Sequence, residues 1–98
     1  MSDMTVANTI LDQIGRRALV MIGAKQMVGD EKSVHFRIGK NARSVTHVVV
    51  TLDPSDTYSL TFLRARGVTV KEVSSASFVY NDQLRTVIEH HTGLYTSL

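Results

Sequence analysis

Hydrophobic and polar residues alternate with a period of two through the middle of the chain. Every second residue is apolar in the stretch 33–38, and the same spacing returns in the stretch 57–66. Such alternation is typical of strands with one buried face. Residues 45–52 are rich in β-branched side chains and predict another strand. A turn at residues 53–56, with Pro54 in its second position, should join the strands 45–52 and 57–66 into an antiparallel hairpin.

Two further strands are predicted at the borders of this region. The apolar run 18–22 has the length of a strand, although a buried helical segment would show the same pattern. A polar turn at 29–32 and a basic connection at 39–43 should lie on either side of the strand 33–38. After Gly67, a last strand is predicted over 68–73, with a ragged continuation towards residue 78.

Helical spacing appears at both ends of the chain. Near the start, apolar residues recur at helical intervals from Val6 to Ile14, with Asp3 or Thr5 as the N-cap and Gly15 as the end. A second helix should begin near Asn81 and end at Gly93. Its apolar side carries Leu84, Val87, Ile88 and His91.

Two amphipathic helices are available to cover one face of an antiparallel sheet. We therefore predict an α+β two-layer sandwich, an antiparallel β-meander of about four to five strands flanked by an N-terminal and a C-terminal helix. A chain of 98 residues has the size of one domain, so residues 1–98 should form a single core.

Alternation divides the predicted sheet into an inner and an outer face. The inner face should carry Val34, Phe36, Ile38, Val48, Val50, Leu52, Tyr58, Leu60, Phe62, Val68 and Val70, with Ile10, Ile14, Leu84 and Ile88 packing on it from the helices. The outer face should carry His35, Arg37, His47, Val49, Thr51, Ser59, Thr61, Leu63, Thr69 and Lys71. An open face of this kind is usually solvated, but some recognition modules use one to bind nucleic acid.

Composition is ordinary for a globular protein, with 43% hydrophobic and 20% charged residues. The formal charge of +2 and a pI near 9.2 permit a polyanionic partner without requiring one. The chain has no cysteine, which excludes disulfides and thiolate chemistry. It also has no run long enough to span a membrane and no signal-like start, so we expect a cytoplasmic protein.

Catalytic and metal-binding patterns are weak. Asp53 and Asp56 flank a turn that explains them, and residues 23–25 lack the remaining residues of a phosphate loop. The neighbouring His90 and His91 point about 100° apart on a helix, so they do not converge on one ion. We therefore expect a non-enzymatic protein with no cofactor and no metal. An active site would require His35 and His47 to meet an acid in one pocket.

Basic residues at strand ends and in loops are the candidate contacts for nucleic-acid phosphates. Charges in such places also serve ordinary solubility. By strict alternation Arg64 and Arg66 would be buried, so the strand should leave the core near Leu63. The candidate contacts are Arg16, Arg17, Lys25, Arg37, Lys40, Arg43, Arg64 and Arg66.

Five short segments spread over nearly the whole chain resemble a family of small uncharacterised proteins from bacteriophages and other mobile elements. They are TILDQIG (9–15), MIGAK (21–25), VTLDPSDTY (50–58), DQLR (82–85) and TGLYT (92–96). The resemblance implies an accessory protein that binds nucleic acid or blocks a host defence complex. It implies no catalytic residues.

Two hypotheses of function follow. The first is a phage or mobile-element accessory protein that binds nucleic acid, or a complex that processes nucleic acid, through the basic residues. The alternative is a protein-interaction or self-assembly module, a homo-oligomer that associates through an edge strand or through the outer face around Val49 and Leu63.

Overall fold

The protein is a five-stranded antiparallel sheet with helices on one side. The computed structural model describes residues 5–41 and 43–94. In chain order the elements are α1 (Thr5–Ile14), α2 (Arg16–Met21), β1 (Lys25–Gly29), β2 (Ser33–Arg37), β3 (His47–Leu52), β4 (Tyr58–Arg66), β5 (Thr69–Val79), a 3-10 turn (Asn81–Gln83) and α3 (Leu84–Thr92). The strands lie in the order β1-β2-β3-β4-β5, so each pairs with its neighbour in sequence. The predicted α+β class and the meander are confirmed.

The core lies between the helices and the inner face of the three central strands. Phe36 of β2 is opposite Val48 of β3, which in turn is opposite Phe62 of β4, and all three are fully buried. Ile10 of α1 and Ile88 of α3 complete the cluster from the helical side. The predicted inner positions on β2, β3 and β4 are therefore confirmed, although Leu52 is only partly buried.

The first and last helices lie where the sequence predicted them. α1 begins at Thr5 and ends before Gly15, while the alternative cap Asp3 lies outside the described residues. α3 ends at Gly93, whose positive φ of 76° lets its N–H donate to the carbonyl of Glu89. None of the helices in the described part of the chain is long and apolar enough to cross a membrane.

Residues 18–22, predicted as a strand, belong instead to the short helix α2 and its end. The N–H of Leu19 donates to the carbonyl of Gly15, and that of Ile22 donates to Ala18. Ala18, Leu19 and Ile22 are buried, whereas Val20 is 78% exposed. In a strand Val20 would share a face with Ala18 and Ile22, so this burial pattern fits only helical spacing.

β1, at one edge of the sheet, is a strand that the sequence did not predict. Its first four residues are all exposed, so no alternation marks it. β1 pairs with β2 through Lys25 opposite Arg37 and Val28 opposite His35, with a bulge between these pairs where Gln26 adopts a positive φ of 56°. β1 is therefore a bulged edge strand, which is identified by its backbone pairing with β2 and not by a pattern of side-chain burial.

At the start of β5, the residues lie on the opposite faces of the sheet from those predicted. Ser74 faces Phe62 and Glu72 faces Leu63, so Val73 is an extra residue that shifts the alternation. Val70 consequently lies opposite Ala65 on the outer face and is exposed, as is Val68 before it, so neither belongs to the core. Thr69 and Lys71, predicted on the outer face, lie opposite Arg66 and Arg64 instead.

His91 of α3 packs against the sheet, as its position on the apolar side of the helix predicted. Its ring stacks on Phe62 with centroids 4.6 Å apart and planes within 6°. Its Nδ1 lies 2.9 Å from the hydroxyl of Ser74. Burial, with smaller contributions from His90 and Arg43, lowers the pKa of His91 below its ordinary value. The neutral ring is therefore the form that the folded state favours.

We expect the protein to lose stability as the pH falls below about 6.5, the ordinary pKa of histidine. The pKa of His91 is lowered in the folded state, so the unfolded chain binds its proton first and unfolding is favoured in acid. Urea unfolding at a series of pH values from neutral to mildly acidic would measure the loss.

The variant His91→Phe keeps an aromatic ring on Phe62 but cannot titrate, so its stability should depend less on pH. Some dependence should remain, because burial also lowers the pKa of His47. An unchanged pH dependence in this variant would contradict the assignment to His91.

Candidate nucleic-acid interface

The meander brings basic residues from distant parts of the chain to one end of the sheet. At this end β2 and β4 finish and β1, β3 and β5 begin, as the pairs Lys25–Arg37, Arg37–His47 and Arg66–Thr69 show. Residues 38–46 connect β2 to β3 at the same end. The cations that meet there are Lys25, Arg37, Lys40, Arg43, Arg64, Arg66 and Lys71.

Four of these cations surround an open cleft of about 310 Å³, which we call the basic cleft. Its charged lining residues are Arg37, Lys40, Arg64 and Arg66, and all except the half-buried Arg64 are exposed. The polar side chains of the connection 38–46 form much of the remaining wall. The cleft therefore combines several cations with hydrogen-bonding groups in a space that solvent reaches.

Asn41 organises the connection that forms one wall of the basic cleft. Its side-chain amide nitrogen donates to the carbonyl oxygens of Gly39 and Val45 at 2.9 and 2.7 Å. Its side-chain oxygen accepts from the backbone N–H groups of Arg43 and Val45 at 3.2 and 3.1 Å. One partly buried side chain thus holds both arms of the loop, as asparagine commonly does in turns.

The connection is also attached to its neighbours. The hydroxyl of Thr46 accepts from the N–H of Ala65 at 2.8 Å, and the N–H of Thr46 donates to the carbonyl of Leu63. At the other side, the N–H of Gly39 donates to the carbonyl of Ile22 at 2.9 Å. The wall of the cleft is therefore fixed to β4 and to the end of α2.

Arg64 lines the basic cleft, and the hydrogen bonds of its guanidinium to the described residues go to backbone carbonyls. Its Nε donates to the carbonyl of Ser44 at 3.3 Å and its Nη2 to the carbonyl of Arg43 at 3.1 Å. Carbonyl oxygens orient a guanidinium but do not neutralise it. The expectation that β4 leaves the core near Leu63 is confirmed, since Arg66 is exposed and Arg64 only half-buried.

Acidic residues collect in the two turns at the opposite end of the sheet. Asp30 accepts from the N–H groups of Lys32 and Ser33, each at 2.9 Å, and these bonds lower the pKa of its carboxyl. Asp53 accepts from the hydroxyl of Ser59 at 2.6 Å, which confirms its predicted role in the turn. With Glu31 and Asp56 in the same turns, four carboxylates lie at this end of the sheet, which we call the acidic end, although Lys32 lies there too and Glu72 of β5 lies near the basic end, opposite Leu63.

The predicted contacts separate into two groups. Arg37, Lys40, Arg43, Arg64 and Arg66 lie in the basic cleft or on its loop, and Lys25 lies beside Arg37. By contrast, Arg16 and Arg17 begin α2, and Arg16 lines a separate cavity of about 710 Å³ between α1, α2 and β1. The structure does not bring these two arginines to the cleft.

Two residues of this region were missed as site residues. Asn41 was missed because the candidate contacts were selected by their charge, and Asn41 carries none. An asparagine in a loop is nevertheless a recognised signal for side-chain bonds to the backbone. Lys71 was placed on the outer face, but the bulge at Val73 puts it opposite Arg64. No sequence pattern marks that bulge.

The outer face has a small apolar depression that includes both predicted contact residues, Val49 and Leu63. Its volume is about 260 Å³, and its remaining lining residues are His35, His47, Ala65 and Val70. Burial, then the charges of Arg37 and His35, lower the pKa of His47. The two histidines do meet here, but the described lining contains no carboxylate to complete an acid–base pair.

Across residues 5–41 and 43–94, no group of three or more His, Asp or Glu side chains could hold a metal ion. No protein-family model, curated protein or solved structure matches the chain. The function of the candidate site must therefore be inferred from its geometry and charge.

Replacing Asn41 by Ala should destabilise the protein by about 1–3 kcal/mol, because four hydrogen bonds, three of them partly buried, lose their partner. Urea unfolding would measure this loss. Amide hydrogen exchange at Arg43 and Val45 should also become faster, since both N–H groups bond to Asn41.

Asn8→Ala is the matched control, because Asn8 is exposed on α1 and alanine favours helix. Equal effects of the two substitutions would show that Asn41 does not organise the connection.

Proposed function

We propose that the protein binds nucleic acid through the basic cleft, with phosphate groups as the principal ligands. The observation that carries this proposal is the convergence of Arg37, Lys40, Arg64 and Arg66 on one open cleft. Lysine and arginine side chains are the usual partners of phosphate oxygens.

The charge distribution of the whole sheet supports the proposal. A net charge of only +2 would steer a polyanion weakly if the charges were mixed. Here the carboxylates of Asp30, Glu31, Asp53 and Asp56 lie at the far end and only Glu72 of the described strands lies near the basic end, so the basic end presents a stronger positive field than the net charge indicates. A polyanion should approach the molecule in one orientation.

The surroundings of the cleft favour contacts to the backbone of a duplex over stacking on bases. Proteins that bind single strands commonly stack bases on aromatic side chains. The exposed aromatic residues in the described part of the chain are Phe78 and Tyr80, which lie near the acidic end of the sheet. Binding should therefore be largely independent of sequence, and duplexes should bind at least as well as single strands.

The resemblance to small proteins of bacteriophages and mobile elements agrees with this proposal, because accessory proteins of such elements often act on nucleic acid. The same resemblance also implies a second possible target for the protein, namely a complex that processes nucleic acid. Failure to bind any nucleic acid would favour that target.

Lys40→Gln should weaken binding to a short DNA duplex and reduce the slope of log K against log salt by about 1, since one phosphate contact is lost. Fluorescence anisotropy over a series of salt concentrations would measure both quantities. The reduction should be the same for duplexes of unrelated sequence, because phosphates carry no base information.

Lys32→Gln provides the matched control. Lys32 is also an exposed lysine in a connection, but it lies in the turn at the acidic end. Its substitution should leave affinity and salt slope nearly unchanged. Binding that does not depend on salt, or equal losses in both variants, would overturn the proposal.

A further inference from the structure

Six of the seven large hydrophobic side chains that are exposed in the described residues lie on or beside the two edge strands of the sheet. Met27 and Val28 lie on the edge strand β1, while the seventh, Val20, lies on α2 and lines a cavity together with Met27. The other four lie on or beside the edge strand β5, namely Val68, Val70, Phe78 and Tyr80. Exposed apolar groups that collect at an edge mark a contact surface more often than ones that are scattered.

β5 is the longer edge, with 11 residues against five in β1. Its apolar residues form two pairs, one at each end of the strand. Val68 and Val70 lie at the start, and Phe78 and Tyr80 lie at the finish. Val70 is 62% exposed and Phe78 is 75% exposed. Between the pairs the strand is mostly small and polar.

Phe78 is also held in an unfavourable backbone conformation. Its φ is +56°, a region that bulky residues rarely adopt. Ala76 and Val79 lie opposite Leu60 and Tyr58, so Ser77 and Phe78 together face Ser59 in a bulge. Such strain persists only where the surrounding structure maintains it, and it is most common at functional positions.

Antiparallel pairing of β5 with β5 of a second copy would bring unlike ends together. Any such pairing across a two-fold axis near Ser74 and Ser75 places the start of one strand beside the finish of the other. The Val68–Val70 pair of one copy then lies beside the Phe78–Tyr80 pair of its partner, twice in the dimer. Contacts between aromatic and β-branched side chains across strands are stabilising.

The same symmetry also matches the charges. β5 starts at the basic end of the sheet, near Arg64 and Arg66, and finishes at the acidic end. Antiparallel pairing sets the basic end of one copy beside the acidic end of the other, with Asp53 and Asp56 in the adjoining turn. Parallel pairing would set like charges side by side.

We infer that the protein forms a two-fold dimer through antiparallel contact of its β5 edges, giving a continuous ten-stranded sheet. This inference does not depend on the proposed function. Pairing of β1 with β5 of the next copy is a head-to-tail contact that does not close, so it would build open arrays. The β5 dimer closes on itself and covers the longer apolar edge.

Single cysteines test the geometry directly, because the chain contains no cysteine of its own. Ser75→Cys places an exposed thiol close to the two-fold axis, so a short bismaleimide reagent should link two copies. Val68→Cys alone should not link, because the two thiols would lie about 40 Å apart along the strands. A mixture of Val68→Cys and Tyr80→Cys chains should link across the interface.

Association itself is tested by sedimentation of matched variants. Val70→Lys should convert the dimer to a monomer, because it places a charge in the contact. Val28→Lys makes the same change on the β1 edge and should leave the dimer intact. Both residues are exposed, so neither change should unfold the chain, which circular dichroism would verify.

Each other outcome overturns the inference. A wild-type chain that sediments as a monomer across the micromolar range excludes the dimer. Dissociation by Val28→Lys, but not by Val70→Lys, assigns the contact to β1. Linkage of Val68→Cys to itself, without linkage of the mixture, shows that the strands are not antiparallel across this axis.

Discussion

The pairing of β3 with β4 is the interaction on which the rest of the molecule depends. It sets Val48 against Phe62 and Val50 against Leu60, and all four side chains are fully buried. β2 and β5 then pair on either side. Near the end of the same hairpin, the hydroxyl of Tyr58 donates to the side-chain oxygen of Gln13 at 2.6 Å and so ties α1 to the sheet. A slip of one residue would turn these apolar groups towards solvent.

The basic cleft is a consequence of this register. β4 extends beyond the core, so Arg64 and Arg66 lie on the same face as Phe62 but past the end of the helical cover. The hydroxyl of Thr46 accepts a hydrogen bond from the N–H of Ala65 and so keeps this extension in the sheet. Because successive turns of a meander alternate between its two ends, the acidic turns lie far from these arginines. The charge asymmetry thus follows from topology as well as from composition.

Much of the architecture was predictable where side-chain burial follows a simple period. Alternation identified β2 and β4, a run of β-branched residues identified β3, and helical spacing identified α1 and α3. The prediction was wrong for residues 18–22, because a six-residue helix is too short to separate from a strand by periodicity. It missed β1, whose first four residues are all exposed. It misassigned Val70 because one extra residue at position 73 reverses the faces without any mark in the sequence.

The candidate site was predictable in kind but not in arrangement. Arginine and lysine in connections indicated phosphate contacts, and the structure gathers six of the eight predicted residues at one end of the sheet. Sequence distance gave no means of separating Arg16 and Arg17 from the others. Asn41 could not be recognised as the organiser of the loop, because its four bonds depend on the path of a backbone that only the fold defines.

The order of the strands also bears on how the chain folds. Since every strand pairs with its neighbour in sequence, each hairpin closes a loop of moderate length, and the entropy of closure is small at each step. The contacts of α1 with α3 and with the 3-10 turn are different, because they join parts of the chain that are far apart in sequence. We therefore expect the central hairpins to form early and the two helices to dock last. On a ribosome, α1 would be available as soon as the sheet is made, but the part of the core that Leu84 and Ile88 complete would stay open until α3 emerges.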